Sequence, residues 1–267
     1  MARDRQGFFT HLIKTAIVSV IIGMIFFKTE FTRDTLMNYK GAAIRATGDM
    51  SYIYLYPSIF CLLADLPAVI REYQSNTYAP SAYFLAVVLT DSMQYLIHPT
   101  VYSLIVYNMA GYSRTFSQFI LFSLLNIVVV NVSTSVAYAA ASICGRLTLA
   151  VVLTPMLVQP LFVFAGFFID LRTVPIYFKV FTHISWFKYA YEAHLIILLE
   201  PIKSVVDSPT SYTQNATLYS SKNGTDVLLS LGFHPNLLIT NFVILIIIII
   251  LIRSIALLAF ITRIQRS

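Results

Sequence analysis

The feature that most narrows the fold is a run of apolar residues without a break, from Phe242 to Ile252. It lies inside a longer apolar stretch of the length that a helix needs to cross the hydrocarbon core, about 20 residues. Other stretches along the chain come close to the same length. Hydrophobic residues make up 58% of the 267 and charged residues 11%. A soluble domain carries roughly 25% charged residues to cover its surface, so hydrocarbon rather than water is the main solvent here. Lipid offers backbone polar groups no partner, which leaves helices or a closed barrel. The runs are too long and continuous for barrel strands, so the chain reads as an all-α membrane protein.

Six spans are expected, at about residues 8–27, 41–66, 81–109, 116–142, 148–169 and 236–261, in one domain covering 1–267. The second is the weakest, interrupted by Arg45, Asp49 and Asp65. A polar turn is expected from Pro67 to Pro80. The N-terminal run has no small-residue cleavage site after it, so it reads as a first membrane helix and not a signal peptide. Between spans five and six, residues 171–235 form a long non-spanning loop. Its first half, Val174 to Leu199, is aromatic and semi-polar and reads as helices lying in or dipping into the interface.

Orientation rests on that loop, because the basic residues of the termini and short loops balance almost evenly under the positive-inside rule. Two acceptor tripeptides for N-glycosylation, Asn215-Ala-Thr217 and Asn223-Gly-Thr225, fall in it and make sense only on the lumenal or extracellular side. An even number of spans then places both termini in the cytosol.

Several function classes drop out. The net charge of +6 comes from cations in short loops between apolar runs, which suits a membrane surface and not a nucleic-acid partner. Cys61 and Cys144 lie in or beside apolar segments with no metal or redox spacing. No phosphate loop, nucleophile elbow or metal-ligand cluster occurs, so no catalytic residue and no metal site is assigned. Within the spans, Arg45 and Asp49 stand four apart and can partly neutralise each other. Either both sit at the outer interface or the pair faces a water-filled cavity. Asp91 and His98 share a face of span three, where bundle-facing polar contacts are expected. Arg253 in span six is expected to snorkel.

Two stretches then resemble a known family. Ala64-Asp65-Leu66-Pro67-Ala68-Val69-Ile70-Arg71-Glu72, followed by Tyr78 and Ala82-Tyr83-Phe84-Leu85-Ala86, is similar to the ELP-x-F-x-RE…Y…YFL stretch of the G subfamily of ABC transporters, the White eye-pigment type. Gly166-Phe167-Phe168-Ile169, Val174-Pro175-Ile176-Tyr177 and Ile184-Ser185-Trp186-Phe187-Lys188-Tyr189-Ala190-Tyr191-Glu192 resemble its GFF…VP-x-Y…SWF-x-YA-x-E segment. The resemblance implies a six-helix ABC-2 type exporter domain with interfacial helices before the last span, working as a homo- or heterodimer. It also implies a nucleotide-binding domain using ATP and Mg, expected to lie outside this chain because few residues precede span one. By the same resemblance Arg71 and Glu72 form a coupling turn on the cytosolic side. Asp49, Tyr52, Gln159 and Phe162 line a substrate cavity, and Phe167 and Phe168 plug it. Glu192 is the recurring acid of the interfacial helix. Asp49, Gln159 and Arg45 are more polar than the family pattern, which favours an amphiphilic cargo over a sterol-like one.

The function expected is therefore export of small lipophilic or amphiphilic molecules across a plasma or vesicle membrane by alternating access. The alternatives are a nucleotide-independent carrier or channel and a non-transporting regulatory subunit. A carrier would carry inverted repeats with broken helices, and no convincing internal repeat is visible.

Overall fold

In the computed structural model, residues 5–27, 35–112, 115–169, 171, 174–202 and 224–266 are described. Among them all regular structure is helical: α1 (Arg5–Ile25), α2 (Leu36–Gln74), α3 (Pro80–Ala110), α4 (Phe116–Cys144), α5 (Leu147–Val163), α6 (Lys179–Ile184), α7 (Trp186–Leu199), α8 (Gly224–Ser230) and α9 (Leu238–Gln265). Four segments are long and apolar enough to cross a membrane: Gly7–Ile25, Leu36–Gln74, Phe116–Cys144 and Pro235–Gln265. The α3 helix has the length, 31 residues, but Asp91, Gln94 and His98 dilute its apolar character. The α5 helix is apolar but has 17 residues.

The outside of the bundle is apolar, and polar side chains sit within an otherwise apolar core. Thr47, Ser51, His98, Ser103, Asn126, Ser133 and His194 are buried, whereas Leu89, Met156, Leu157, Ile250 and Leu258 are exposed. Water would not favour so large an exposed apolar surface. Lipid tails are as apolar as leucine, so helices gain from each other chiefly through close packing and interhelical hydrogen bonds. At the centre stands α4, touching α2, α3, α5, α7 and α9. Its inward side is Ser133, Thr134, Ser135, Ala137 and Ala141, small residues that let neighbouring backbones come near.

Two sequence expectations change. The polar stretch after Leu66, expected as a turn, continues as helix through Pro67 to Gln74, because its Arg, Glu and Gln are good helix formers. The real turn is short: Asn76 has φ 57 and Pro80 opens α3, where a missing N–H costs nothing. The second change concerns α7, expected at the membrane interface. Every residue from Trp186 to Leu199 except Lys188 is buried. The α7 helix is packed within the bundle, where it contacts α2, α4, α5, α8 and α9. The exposed apolar piece is the stretch before it, where Ile176, Tyr177, Val180 and Ile184 point outward.

Candidate functional site

The sequence-predicted residues separate into an aromatic face, a satisfied ion pair and a polar helix end. The aromatic face starts on α2 at Tyr52, whose ring meets Phe162 of α5 edge-on with centroids 5.8 Å apart. Phe162 in turn meets Phe187 of α7 at 5.0 Å and Phe168 at 5.5 Å. Phe168 stands perpendicular to Phe167 at 4.9 Å, and Phe167 leans on Tyr191 at 6.1 Å. Edge-to-face pairs of this kind place positive ring edges on negative ring faces. The predicted cavity residues Tyr52 and Phe162 and the predicted plug residues Phe167 and Phe168 thus belong to one continuous string of rings.

Gly48 lies against the string, where a Cβ would meet the Phe162 ring at 3.4 Å, in van der Waals contact. Phe168 is exposed at 55%, so the string opens to the outside of the chain at that end. The Tyr52 hydroxyl is buried and has no hydrogen-bond partner among the described residues. Buried polar groups are usually paired, which makes this hydroxyl a free donor and acceptor beside the rings. Gln159 is exposed on α5.

Asp49 does not join the rings. It is buried, paired with Arg45 at 2.8 Å, and accepts from Tyr102 Oη of α3 at 3.3 Å. Glu192 is buried in α7. Burial pushes its carboxyl up, against the opposing pull of the Lys188 charge. Arg71 and Glu72 occupy the last turn of α2 and are exposed. Glu72 accepts a short hydrogen bond from Tyr78 Oη, and Tyr83 Oη donates to Asp65 at 2.8 Å. Partial burial, the Glu72 bond and the Glu72 and Asp65 charges push the Tyr78 phenol up to about 12. Asn215 and Asn223 lie outside the described residues.

Two polar networks are not foreshadowed by the sequence pattern. His194 of α7 puts Nδ1 3.0 Å from Thr47 Oγ1, and its Nε2 lies 3.1 Å from Asn126 Oδ1. Asn126 Nδ2 donates to Ser103 Oγ at 2.9 Å, so α2, α7, α4 and α3 are tied through four fully buried side chains. Arg253, expected to snorkel, turns inward instead, donating from Nε to Ser135 Oγ at 3.0 Å and from Nη2 to Asn131 Oδ1 at 2.8 Å. Asp91 accepts from Tyr138 at 2.6 Å. The i, i+4 spacing of Asn131 and Ser135 on α4, facing a lone cation in an apolar run, is the signal that could have found the Arg253 site.

The family of ABC-2 type transporters matches residues 1–199, so the chain belongs to this family of transporter membrane domains. Its relatives are White-type ABC transporters. They include the ABC transporter ATP-binding protein/permease wht-1 of Caenorhabditis elegans, 34% identical over 88% of this chain and 35% of that protein. Protein white of Drosophila melanogaster is 32% identical over 96% of the chain and 37% of the relative. The broad substrate specificity ATP-binding cassette transporter ABCG2 of Mus musculus is 25% identical over 69% of the chain and 27% of the relative. The chain thus spans about a third of the length of the first two relatives.

Proposed function

We propose that this chain is the membrane-spanning part of an ATP-driven exporter of lipophilic or amphiphilic small molecules. Two copies, or this chain and a related one, would face each other across α2 and α5, with nucleotide-binding domains supplied elsewhere in the assembly. In this reading α1, α2, α3, α4, α5 and α9 each cross the membrane, and residues 171–235 lie on the outer or lumenal side.

The observation that carries the reading is the string Tyr52–Phe162–Phe168, which runs from α2 through α5 to the segment that follows it. Ring faces and edges bind flat apolar cargo without demanding one shape, and the free Tyr52 hydroxyl adds a single polar contact. That is the usual make-up of a small-molecule site, mostly apolar with a few placed polar groups. Phe167 and Phe168 would close it from outside. Alternating access requires cargo to bind the two states with different affinity. Displacement of the α2 end at Arg71 and Glu72 would separate Tyr52 from Phe162 and lower that affinity.

Vesicle uptake with ATP, measured with an ATP-binding partner present, tests this. Glu72→Ala is expected to abolish uptake while leaving surface expression intact, and ordinary uptake in that variant would remove the coupling role. Uptake without ATP would point to a nucleotide-independent carrier, and no uptake in any pairing to a regulatory subunit.

A further inference from the structure

The end of α9 joins two places that are far apart in sequence. Tyr78 stacks on Tyr83 with centroids 6.1 Å apart and an interplanar angle of 13°. Tyr83 stacks on Phe260 of α9 at 6.0 Å and 16°, and Phe84 leans on the same Phe260 at 5.6 Å. Phe260 is 1% exposed. The turn between α2 and α3, held to α2 by the Tyr78–Glu72 and Tyr83–Asp65 hydrogen bonds, is therefore stacked onto the last helix.

One turn further along α9, Arg263 faces the end of α4. Its Nε donates to the Ser142 carbonyl at 2.7 Å, and its Nη2 donates to the Ile143 carbonyl. These are among the carbonyls that a helix leaves without a partner at its C-terminus, and a cation there also meets the negative end of the helix dipole. The guanidinium lies over Gly145, whose φ is 60. A Cβ at Gly145 would overlap the Arg263 guanidinium. Gly145 closes α4, and α5 begins two residues later at Leu147. Only Gly145 and Arg146 separate the two helices, and Ala150 N–H reaches back to the Arg146 carbonyl at 3.0 Å, so the start of α5 is tethered closely to the end of α4.

We propose that Tyr83, Phe260 and Arg263 form a mechanical link from the α2–α3 turn to the α4–α5 joint, with Gly145 as its seat. Tyr83 and Arg263 are positioning residues: neither touches the Tyr52–Phe162 face, yet together they fix where α5, and with it Phe162, stands when the turn moves. Its use in transport rests on the reading of Arg71 and Glu72 as the coupling end, but the link itself does not. A shared two-state element, and not spatial intermediacy alone, is what a coupling claim requires, and non-additivity between distant substitutions is its signature.

Amide hydrogen exchange on the full chain in lipid nanodiscs, without nucleotide, tests the link. Tyr83→Ala is expected to speed exchange about 10-fold at residues 75–79 and also at 150–154, at the start of α5. Arg263→Gln is expected to speed 150–154 by a similar factor while leaving 75–79 unchanged. In the double variant 150–154 should exchange no faster than in Arg263→Gln alone, because the route is already cut. Tyr83→Phe keeps the stack and loses the Asp65 bond, so it should loosen 75–79 only. It also provides a folded comparison should Tyr83→Ala unfold. Unchanged exchange at 150–154 in a folded Tyr83→Ala, simple multiplication of the two effects, or loosening of 150–154 by Tyr83→Phe would each overturn the link. None of these outcomes involves ATP or cargo, so failure here leaves the transport reading standing, and loss of that reading leaves the link.

Discussion

His194 shows how much one residue holds inside this bundle. Its ring reaches Thr47, Asn126 and the Ala190 carbonyl, and its removal would strand the first two in an apolar surrounding. Interhelical hydrogen bonds in membrane proteins average well under 1–2 kcal/mol each, but a buried group left unsatisfied costs about 1–3 kcal/mol. His194→Ala should therefore lower stability by about 2–4 kcal/mol, read as a fall in thermal unfolding midpoint in nanodiscs. The Arg45–Asp49 pair is a second case. Arg45 is 58% exposed beside an Asp49 that is 8% exposed, so its loss leaves a buried carboxylate without its cation, which costs more than losing an exposed pair. Arg45→Gln should thus lower the midpoint clearly, and an unchanged midpoint would mean that Tyr102 alone satisfies Asp49. Spacing alone puts Arg45 and Asp49 on one face, but it holds no sign of Tyr102, which lies 53 residues away from Asp49. Long-range partners of this sort depend on which helices pack together, which local periodicity does not record.

At the scale of elements, apolar run length predicts helices well because lipid enforces it: each of the six expected spans contains a helix. What it cannot report is where a helix goes once hydrophobic on all sides. The α7 helix reads as interfacial from its aromatic content, yet it is buried, with Trp186 stacked on Phe187 at 4.5 Å and its Nε1 donating to Ser51 at 3.4 Å. Phe187, which completes the Tyr52–Phe162 face, is visible in the sequence only as part of a family-like motif and carries no assigned contact there. The aromatic string itself is half legible. Resemblance points to Tyr52, Phe162, Phe167 and Phe168, whereas their order of contact comes only with the packing of α2, α5 and α7. Since α7 braces both α2 and α9, Trp186→Ala should cost about 3–5 kcal/mol, as for large core truncations. Size-exclusion profiles are the check, with loss of a single sharp species expected. A Trp186→Ala protein of unchanged profile and midpoint would show that α7 is peripheral.

For the molecule as a whole, an apolar exterior with polar side chains paired inside the core is the arrangement that hydrocarbon selects. The ABC-2 match over residues 1–199 places the chain among transporter membrane domains. The proposed crossings of α1, α2, α3, α4, α5 and α9 are even in number, so both ends must share one side and the loop with Asn215 and Asn223 must take the other. Single-cysteine variants at Ser211 and Ser267, labelled in intact cells with a membrane-impermeant maleimide after replacement of Cys61 and Cys144, measure this directly. Position 211 is expected to label in intact cells when the chain is at the cell surface, and position 267 only after permeabilisation. Labelling of both positions from the same side would contradict the even-span topology.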